Sequence, residues 1–247
     1  MVTRFQDKVA IVTGGASGIG LAIALRLAAE GSRIVLADHN QAHLAAAVPA
    51  VEAAGAPAVW ASRCDVSVEA EVTATVDGAL QRFGRLDVVV NNAGLMEFKP
   101  LEELGGDDWL RVLGVDLLGA FFFTKQAFLH MKSGGNIVNI ASIHAVETSP
   151  QVAPYAAAKA ALLSLTRSSS IEGRDKGIRT NAILPGAIDT PMLWSNPNVK
   201  SGVEVIGKAD LGRAEDVAAA VAYLASDDAA FIQGAQLRVD GGRLDRL

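Results

Sequence analysis

The sequence predicts a single α/β domain over residues 1–247: a doubly wound, seven-stranded parallel sheet with helices on both faces. Three observations carry this. Short β-branched runs alternate with longer Ala- and Leu-rich segments of helical period almost to the end of the chain. Each connection between strands has crossover length, as parallel strands require. No internal repeat beyond the βα unit, no low-complexity tract and no Pro/Gly/Ser linker marks a domain boundary.

Taken in order, Lys8 to Thr13 is the first apolar run and reads as a strand, and Gly18 to Glu30 follows as a helix rich in Ala and Leu. Arg33 to Ala37 is the second strand, and Gln41 to Ala54 a helix with Pro49 as an irregularity. Ala58 to Arg63 is a strand, and Val68 to Phe83 a helix stopped by Gly84. Leu86 to Val90 is the fourth strand. Asp107 to Met131 forms one long helical region, weakened by Gly114 and Gly119. Asn136 to Ala141 (strand), Ala153 to Arg174 (helix), Ile178 to Leu184 (strand), Glu215 to Ser226 (helix) and Gln236 to Val239 (strand) complete the pattern. Pro185 to Asp210 is the longest irregular stretch; its part from about 187 to 210 sits where a substrate lid belongs.

Half of the 247 residues are hydrophobic and the mean hydropathy is +0.28, which supplies a sizeable core and gives no case for disorder. The net charge is −5 and the pI near 5.4, with no run of Lys and Arg, which argues against nucleic acid as a partner. The single cysteine, Cys64, has no partner for an internal disulfide and reads as a core residue. No Cys and His spacing resembles a zinc site, so no metal is expected. The first apolar run begins by Lys8, leaving no room for a signal peptide, and no stretch reaches about 18 uninterrupted apolar residues. A soluble, cytoplasmic protein without a membrane partner is the expectation.

Thr13-Gly14-Gly15-Ala16-Ser17-Gly18-Ile19-Gly20 joins the first strand to the first helix. Its glycines let the backbone turn sharply and approach a pyrophosphate, while the helix N-terminus offers unpaired N–H groups and a positive dipole end. The spacing Gly14, Gly18, Gly20 differs from the G-x-G-x-x-G fingerprint, and alone it also fits a turn without a ligand. Asp38 ends the second strand, where a carboxylate accepts hydrogen bonds from adenosine ribose hydroxyls and repels a 2′-phosphate, favouring NAD over NADP. Asp38-His39-Asn40 equally reads as a turn or helix cap. No Arg or Lys follows Asp38 to bind a phosphate; Arg33 starts the strand and Arg26 lies within the preceding helix.

Further pieces line up in order: Asp65-Val66, Asn91-Asn92-Ala93-Gly94, Ser142, Tyr155-x-x-x-Lys159, Pro185-Gly186 and Asp240-Gly241-Gly242. With the Thr-Gly-x-x-x-Gly-x-Gly turn they resemble the short-chain dehydrogenase/reductase family over essentially the whole chain. Ser142-Ile143-His144 and the Pro185 to Met192 segment look like glucose 1-dehydrogenases and related sugar or polyol dehydrogenases. The resemblance implies a single-domain Rossmann fold and an NAD-dependent oxidoreductase interconverting a secondary alcohol and a ketone or sugar lactone. It implies that Gly14, Ser17, Gly18, Ile19 and Gly20 hold the dinucleotide, and that Asp65 and Val66 flank the adenine. It further implies that Asn91, Asn92, Ala93 and Gly94 serve the ribose side and the sheet, and that Pro185, Gly186, Ile188 and Thr190 border the nicotinamide. Asn91 to Gly94 and Pro185-Gly186 also read as turn chemistry at strand ends.

Tyr155 and Lys159 are four apart on a helix and share a face. A tyrosine pKa near 10 is high for a base at neutral pH; a neighbouring ammonium and an oxidised nicotinamide favour the phenolate. Such a pair is common on any exposed helix, and the family context gives it meaning as the proton donor or acceptor. Ser142 would donate to the substrate oxygen, and Lys159 would also hold the nicotinamide ribose. Asp116, in Val115-Asp116-Leu117-Leu118-Gly119, departs from the family, which usually has Asn there. The resemblance implies that this residue breaks the helix and that its backbone carbonyl holds a water leading protons toward the lysine. An Asp side chain accepts where Asn also donates, and near Lys159 it alters the relay or its pH dependence.

Glu97, His144, Trp194 and Met192 are candidate substrate contacts, the first two suited to a polyhydroxylated substrate. They also read as a solvated charge (Glu97), a loop residue paired to backbone (His144) and lid packing (Trp194). Ala156 to Leu165 carries more small and apolar positions than one core face needs, which predicts a subunit interface and a homotetramer, with a dimer as the alternative. Two rivals stand beside the main reading. A 3-oxoacyl-carrier-protein reductase would favour NADPH and a basic surface, against Asp38 and the acidic charge. A non-catalytic nucleotide-binding protein has only Asp116 in its favour.

Overall fold

The computed structural model describes residues 3–246, and strands and helices alternate through it as the periodicity predicts. The strands are β1 (Val9–Thr13), β2 (Arg33–Asp38), β3 (Val59–Arg63), β4 (Val88–Asn91), β5 (Asn136–Ile140), β6 (Arg179–Pro185) and β7 (Gln236–Val239). All pair in parallel, in the order β3-β2-β1-β4-β5-β6-β7. The longer helices are α1 (Gly18–Ala29), α2 (Gln41–Ala53), α3 (Glu69–Phe83), α4 (Gly106–Leu113), α5 (Gly119–His130) and α6 (Ala153–Gly173). Two short ones, α7 (Pro191–Ser195) and α8 (Pro197–Lys200), precede α9 (Ala214–Leu224).

Successive side chains on a strand face opposite ways, so each strand feeds two cores. Ala10 and Val12 of β1 join Ile34, Leu36, Val88 and Val90 under α1, α2 and α9. Val9 and Ile11 join Val35, Val89 and Ile137 under α3 and α5. Cys64 lies in this second core as a free thiol, and burial pushes its pKa up to about 11. β1 pairs with both β2 and β4, so the chain reverses its winding direction there, and the loops leaving β1 and β4 part at their carboxyl ends.

Three expectations are corrected. α2 runs through Pro49, whose ring sits on the exposed side. The long helical region over 107–131 is continuous from 106 to 130, and the break implied at Asp116 is no interruption but one wide π-turn at Gly114–Leu118 between α4 and α5. The irregular stretch carries α7 and α8 because each begins with a side-chain cap followed by proline. Thr190 accepts from the Leu193 N–H and Asn196 from the Asn198 N–H, and proline at the first helical position needs no donor partner. The run 106–130 is long and apolar enough to cross a membrane by length and composition, yet half of it is buried inside the domain, where α4 packs on α6 and α5 on α3.

Candidate active site

A cleft of about 670 Å³ opens at the carboxyl ends of the strands, where β1 and β4 diverge. The Gly-rich turn forms one wall, with Gly14 and Gly18 at φ +59° and +51°, backbone that L side chains rarely adopt. Ser17 starts α1 without a side-chain cap, which leaves the first helical N–H groups available to an anion. A Cβ at Gly20 would overlap the Gly14 carbonyl oxygen and the Asn92 amide, so helix and turn touch only because no side chain intervenes. This cradle fits a dinucleotide pyrophosphate. Gly20→Ala is expected to cost about 1–3 kcal/mol of stability and to weaken dinucleotide binding, read by thermal melting and by titration of cofactor fluorescence.

Asp38 lies buried at the end of β2, and both its oxygens are used: Oδ2 accepts from the Ala16 N–H at 3.2 Å and Oδ1 from the Asn40 N–H at 2.9 Å. It therefore pins the Gly-rich turn to the sheet while facing the cleft. The cap of α2 is Asn40, which accepts from the Ala42 and His43 N–H groups, so the capping reading of Asp38 is corrected. No arginine is turned toward this carboxylate from its own strand or helix. Arg26 pairs with Glu30, Arg33 with Asp7, and Arg63, the register partner of Asp38 on β3, reaches Glu71 at 3.6 Å. Asp65 is fixed by the Ser67 hydroxyl and N–H, which hold its carboxyl below the usual range, and Val66 lies buried beside it.

Thr13 organises the next wall. Its hydroxyl accepts from the Asn92 and Ala93 N–H groups, both at 2.9 Å, while the Asn92 side chain donates to the Thr13 carbonyl at 2.9 Å. Asn91 donates across the sheet to Asn139 at 2.8 Å, the sheet role expected of it. The Gly94 Cα passes so close to Asp116 and Lys159 that a Cβ would lie 2.9 Å from Asp116 Oδ2 and 3.2 Å from Lys159 Nζ. Pro185, Gly186, Ile188 and Thr190 line the far side.

The chemistry-bearing side chains converge between β5, α6 and the π-turn. The Lys159 ammonium donates to the Ile140 carbonyl at 3.0 Å, lies 3.2 Å from Asp116 Oδ2 and sits 5.5 Å from the centre of the Tyr155 ring. All three residues are buried. Asp116 reaches the lysine because the π-turn carries it inward, and its Oδ1 accepts from the Leu95 N–H at 2.9 Å. Burial alone would lower the Lys159 ammonium, but Asp116 and then Tyr155 outweigh it and hold it above its ordinary range. Burial pushes the Tyr155 phenol up; Asp116 adds to that push, while Lys159 and a hydrogen bond with Ser142 oppose it without cancelling it. Ser142 accepts from the His144 N–H at 3.1 Å, which leaves its own proton to give.

Of the expected substrate contacts, His144 and Met192 line the cleft, with the His144 ring edge-on to Tyr155 at 5.9 Å. Glu97 and Trp194 are placed outside the lining. Glu97 pairs with Arg111 and Lys99, and Trp194 donates to Asp189 at 2.7 Å. Sequence reasoning missed Thr13, Asn196, Glu204 and Arg243. Thr13 opens the quoted glycine motif and Asp240-Gly241-Gly242 leads directly to Arg243, but neither motif says what the next side chain meets.

A family model of the short-chain alcohol dehydrogenase type, described as enoyl-(acyl carrier protein) reductase, matches residues 14–243. The chain belongs to the short-chain dehydrogenase/reductase family. It is 43% identical to the cis-4-hydroxycyclohexanecarboxylate dehydrogenase of Sinomonas cyclohexanicum, over 98% of each chain. It is 39% identical to the 3beta-hydroxysteroid dehydrogenase 1 of Eggerthella lenta, over 98% of this chain and 95% of that one. A solved short-chain dehydrogenase from Burkholderia cenocepacia, in complex with NADP, superposes with a TM-score of 0.89 at 34% identity, covering 96% of this chain and 98% of the other. As a short-chain dehydrogenase/reductase it is an oxidoreductase of CH–OH groups that takes a nicotinamide dinucleotide.

Proposed function

We propose that this short-chain dehydrogenase/reductase interconverts a secondary alcohol on a small carbocyclic ring and its ketone, with NAD and with Tyr155 as general base or acid. The observation that carries the reading is the joint placement of Ser142, Tyr155 and Lys159 on one wall of the cleft that ends at Asp38. Bound NAD supplies the hydride acceptor. Tyr155 takes the hydroxyl proton, Lys159 stabilises the phenolate and holds the ribose, and Ser142 donates to the substrate oxygen. Gly14, Gly18, Asp65, Asn92, Ala93, Gly94, Ile188 and Thr190 are proposed as the cofactor's remaining partners.

The substrate side of the cleft presents Met96, Leu110, Ile143, Met192 and Leu193, together with His144, Asn196, Glu204 and Arg243. Asn196 and Glu204 are bound to each other and Glu204 to Arg243, and Glu97 is engaged by Arg111, which leaves a sugar or polyol few open hydroxyl partners. A ring alcohol buries its carbons against the apolar wall and presents one hydroxyl to Tyr155, and the names of both similar dehydrogenases carry a ring alcohol.

Asp38 supports NAD, although the Burkholderia neighbour holds NADP. Its carboxylate offers ribose hydroxyls an acceptor and would meet a 2′-phosphate with like charge. The wild-type chain is expected to prefer NAD over NADP by about 100-fold in kcat/KM, and Asp38→Asn to reduce that ratio by about tenfold. Initial rates with both cofactors on cyclohexanol, 4-methylcyclohexanol and a 3β-hydroxysteroid test the reading; a preference for NADP overturns the Asp38 assignment. The description of the matching family model favours a second reading, an acyl-carrier substrate, so a 3-oxoacyl thioester belongs in the same panel.

We propose a cytoplasmic homotetramer, and exposed apolar and small residues on two helices support the assembly. Leu118, Phe121 and Leu129 are exposed on the π-turn and α5, and α6 presents Ala157, Ala160 and Ser164. Light scattering on the purified chain measures the mass.

A further inference from the structure

We propose that Arg243 anchors a carboxylate borne by the substrate, an inference that rests on the ring-alcohol reading for its chemistry but is testable without turnover. Asp240 accepts from the Gly242 and Leu244 N–H groups, at 3.0 and 2.9 Å, and so fixes the backbone on both sides of Arg243. This turn brings the guanidinium into the cleft lining beside Glu204 and Asn196, close enough to His144 for its charge to act there. Arg243 is only 9% exposed.

Its one side-chain hydrogen bond among the described residues runs from Nη2 to Glu204 Oε1 at 2.7 Å, leaving Nε and Nη1 without a partner. Neither atom is sealed from solvent, so both donors stay open to an acceptor in the cleft. Two adjacent N–H groups match one carboxylate in a bidentate fork. A phosphate would call for a second cation, and Arg111, the other guanidinium on this wall, is already engaged by Glu97 and Asp108. Glu204 shows that the position accepts a carboxylate. Its N–H is held by the Asn198 carbonyl and its Oε2 accepts from Asn196, so it reaches Arg243 from the lid as an internal competitor for the incoming anion.

The probe is cyclohexanecarboxylate, which has no hydroxyl to oxidise, titrated calorimetrically into the full chain saturated with NADH, with cyclohexanecarboxamide as the neutral match. The acid is expected to bind at least about tenfold more tightly than the amide. Arg243→Met should erase that difference, and Glu204→Gln should tighten the acid by roughly threefold or more by removing the competing charge. A purely structural Arg243–Glu204 bridge predicts the opposite for Glu204→Gln, namely weaker binding of both probes. Equal binding of acid and amide, or an acid preference that survives in Arg243→Met, overturns the anchor. Arg243-dependent binding of the acid without oxidation of any ring alcohol would keep the anchor and overturn the ring-alcohol reading instead.

Discussion

Tyr155→Phe is expected to lower kcat for alcohol oxidation by about 10³-fold, within the range general acid–base catalysis supplies, while NAD binds as in the parent chain. The phenyl ring keeps its contacts with the His144 ring and the Lys159 ammonium, so the loss isolates the phenolic oxygen. Stopped-flow single turnovers separate the chemical step from product release. A variant retaining more than about a tenth of the parent kcat would require a different proton acceptor.

The second large effect concerns Asp116. In the proposed mechanism alcohol oxidation needs the phenolate, so its rate is expected to rise with pH to a plateau whose midpoint reports Tyr155 in the loaded enzyme, and ketone reduction, which needs the phenol, to fall over the same interval. Asp116 raises the phenol, both directly and by balancing the charge of Lys159. Asp116→Asn keeps the shape and removes the charge, leaving the ammonium to act on the phenol alone. The midpoints of both profiles should move down by about one pH unit or more, so that at neutral pH oxidation gains and reduction loses. Identical profiles for parent and variant would show that the carboxylate does not act on the phenol.

Much of this site was legible because its signals are local. The Gly14, Gly18, Gly20 spacing reports backbone that only glycine accommodates, and Tyr155 and Lys159 share a helix face by their spacing alone. The strands were found within two residues: β1, β2, β4, β5 and β6 are short apolar runs covered on both faces, and the edge strands β3 and β7 follow from the alternation around them. What escaped depends on partners distant in sequence. The resemblance implied a helix break at Asp116 and its nearness to Lys159, but the width of the turn and the Leu95 N–H that Asp116 meets are not revealed by the local sequence. Arg243 and Glu204 meet across 39 residues. Glu97 looked available for substrate until Arg111, 14 residues on, proved to claim it. The caps of α7 and α8 were the exception: Thr190-Pro191 and Asn196-Pro197 are local helix-start signals inside a stretch that its length made look irregular.

The wide turn at Gly114–Leu118 also makes the site sensitive to counting. Between α4 and α5 the chain fits one residue more into a turn than a regular helix holds. Deleting a single residue there would leave an unbroken rod whose flanks keep the faces they have now, because the wide turn already absorbs the extra residue. Phe123 and Ala127 would stay in the core, while Asp116, no longer carried inward, would lose its line to Lys159. At this point the protein's pH response is written in the number of its residues as much as in their kinds, and a deletion too conservative to disturb a helix would be enough to shift it.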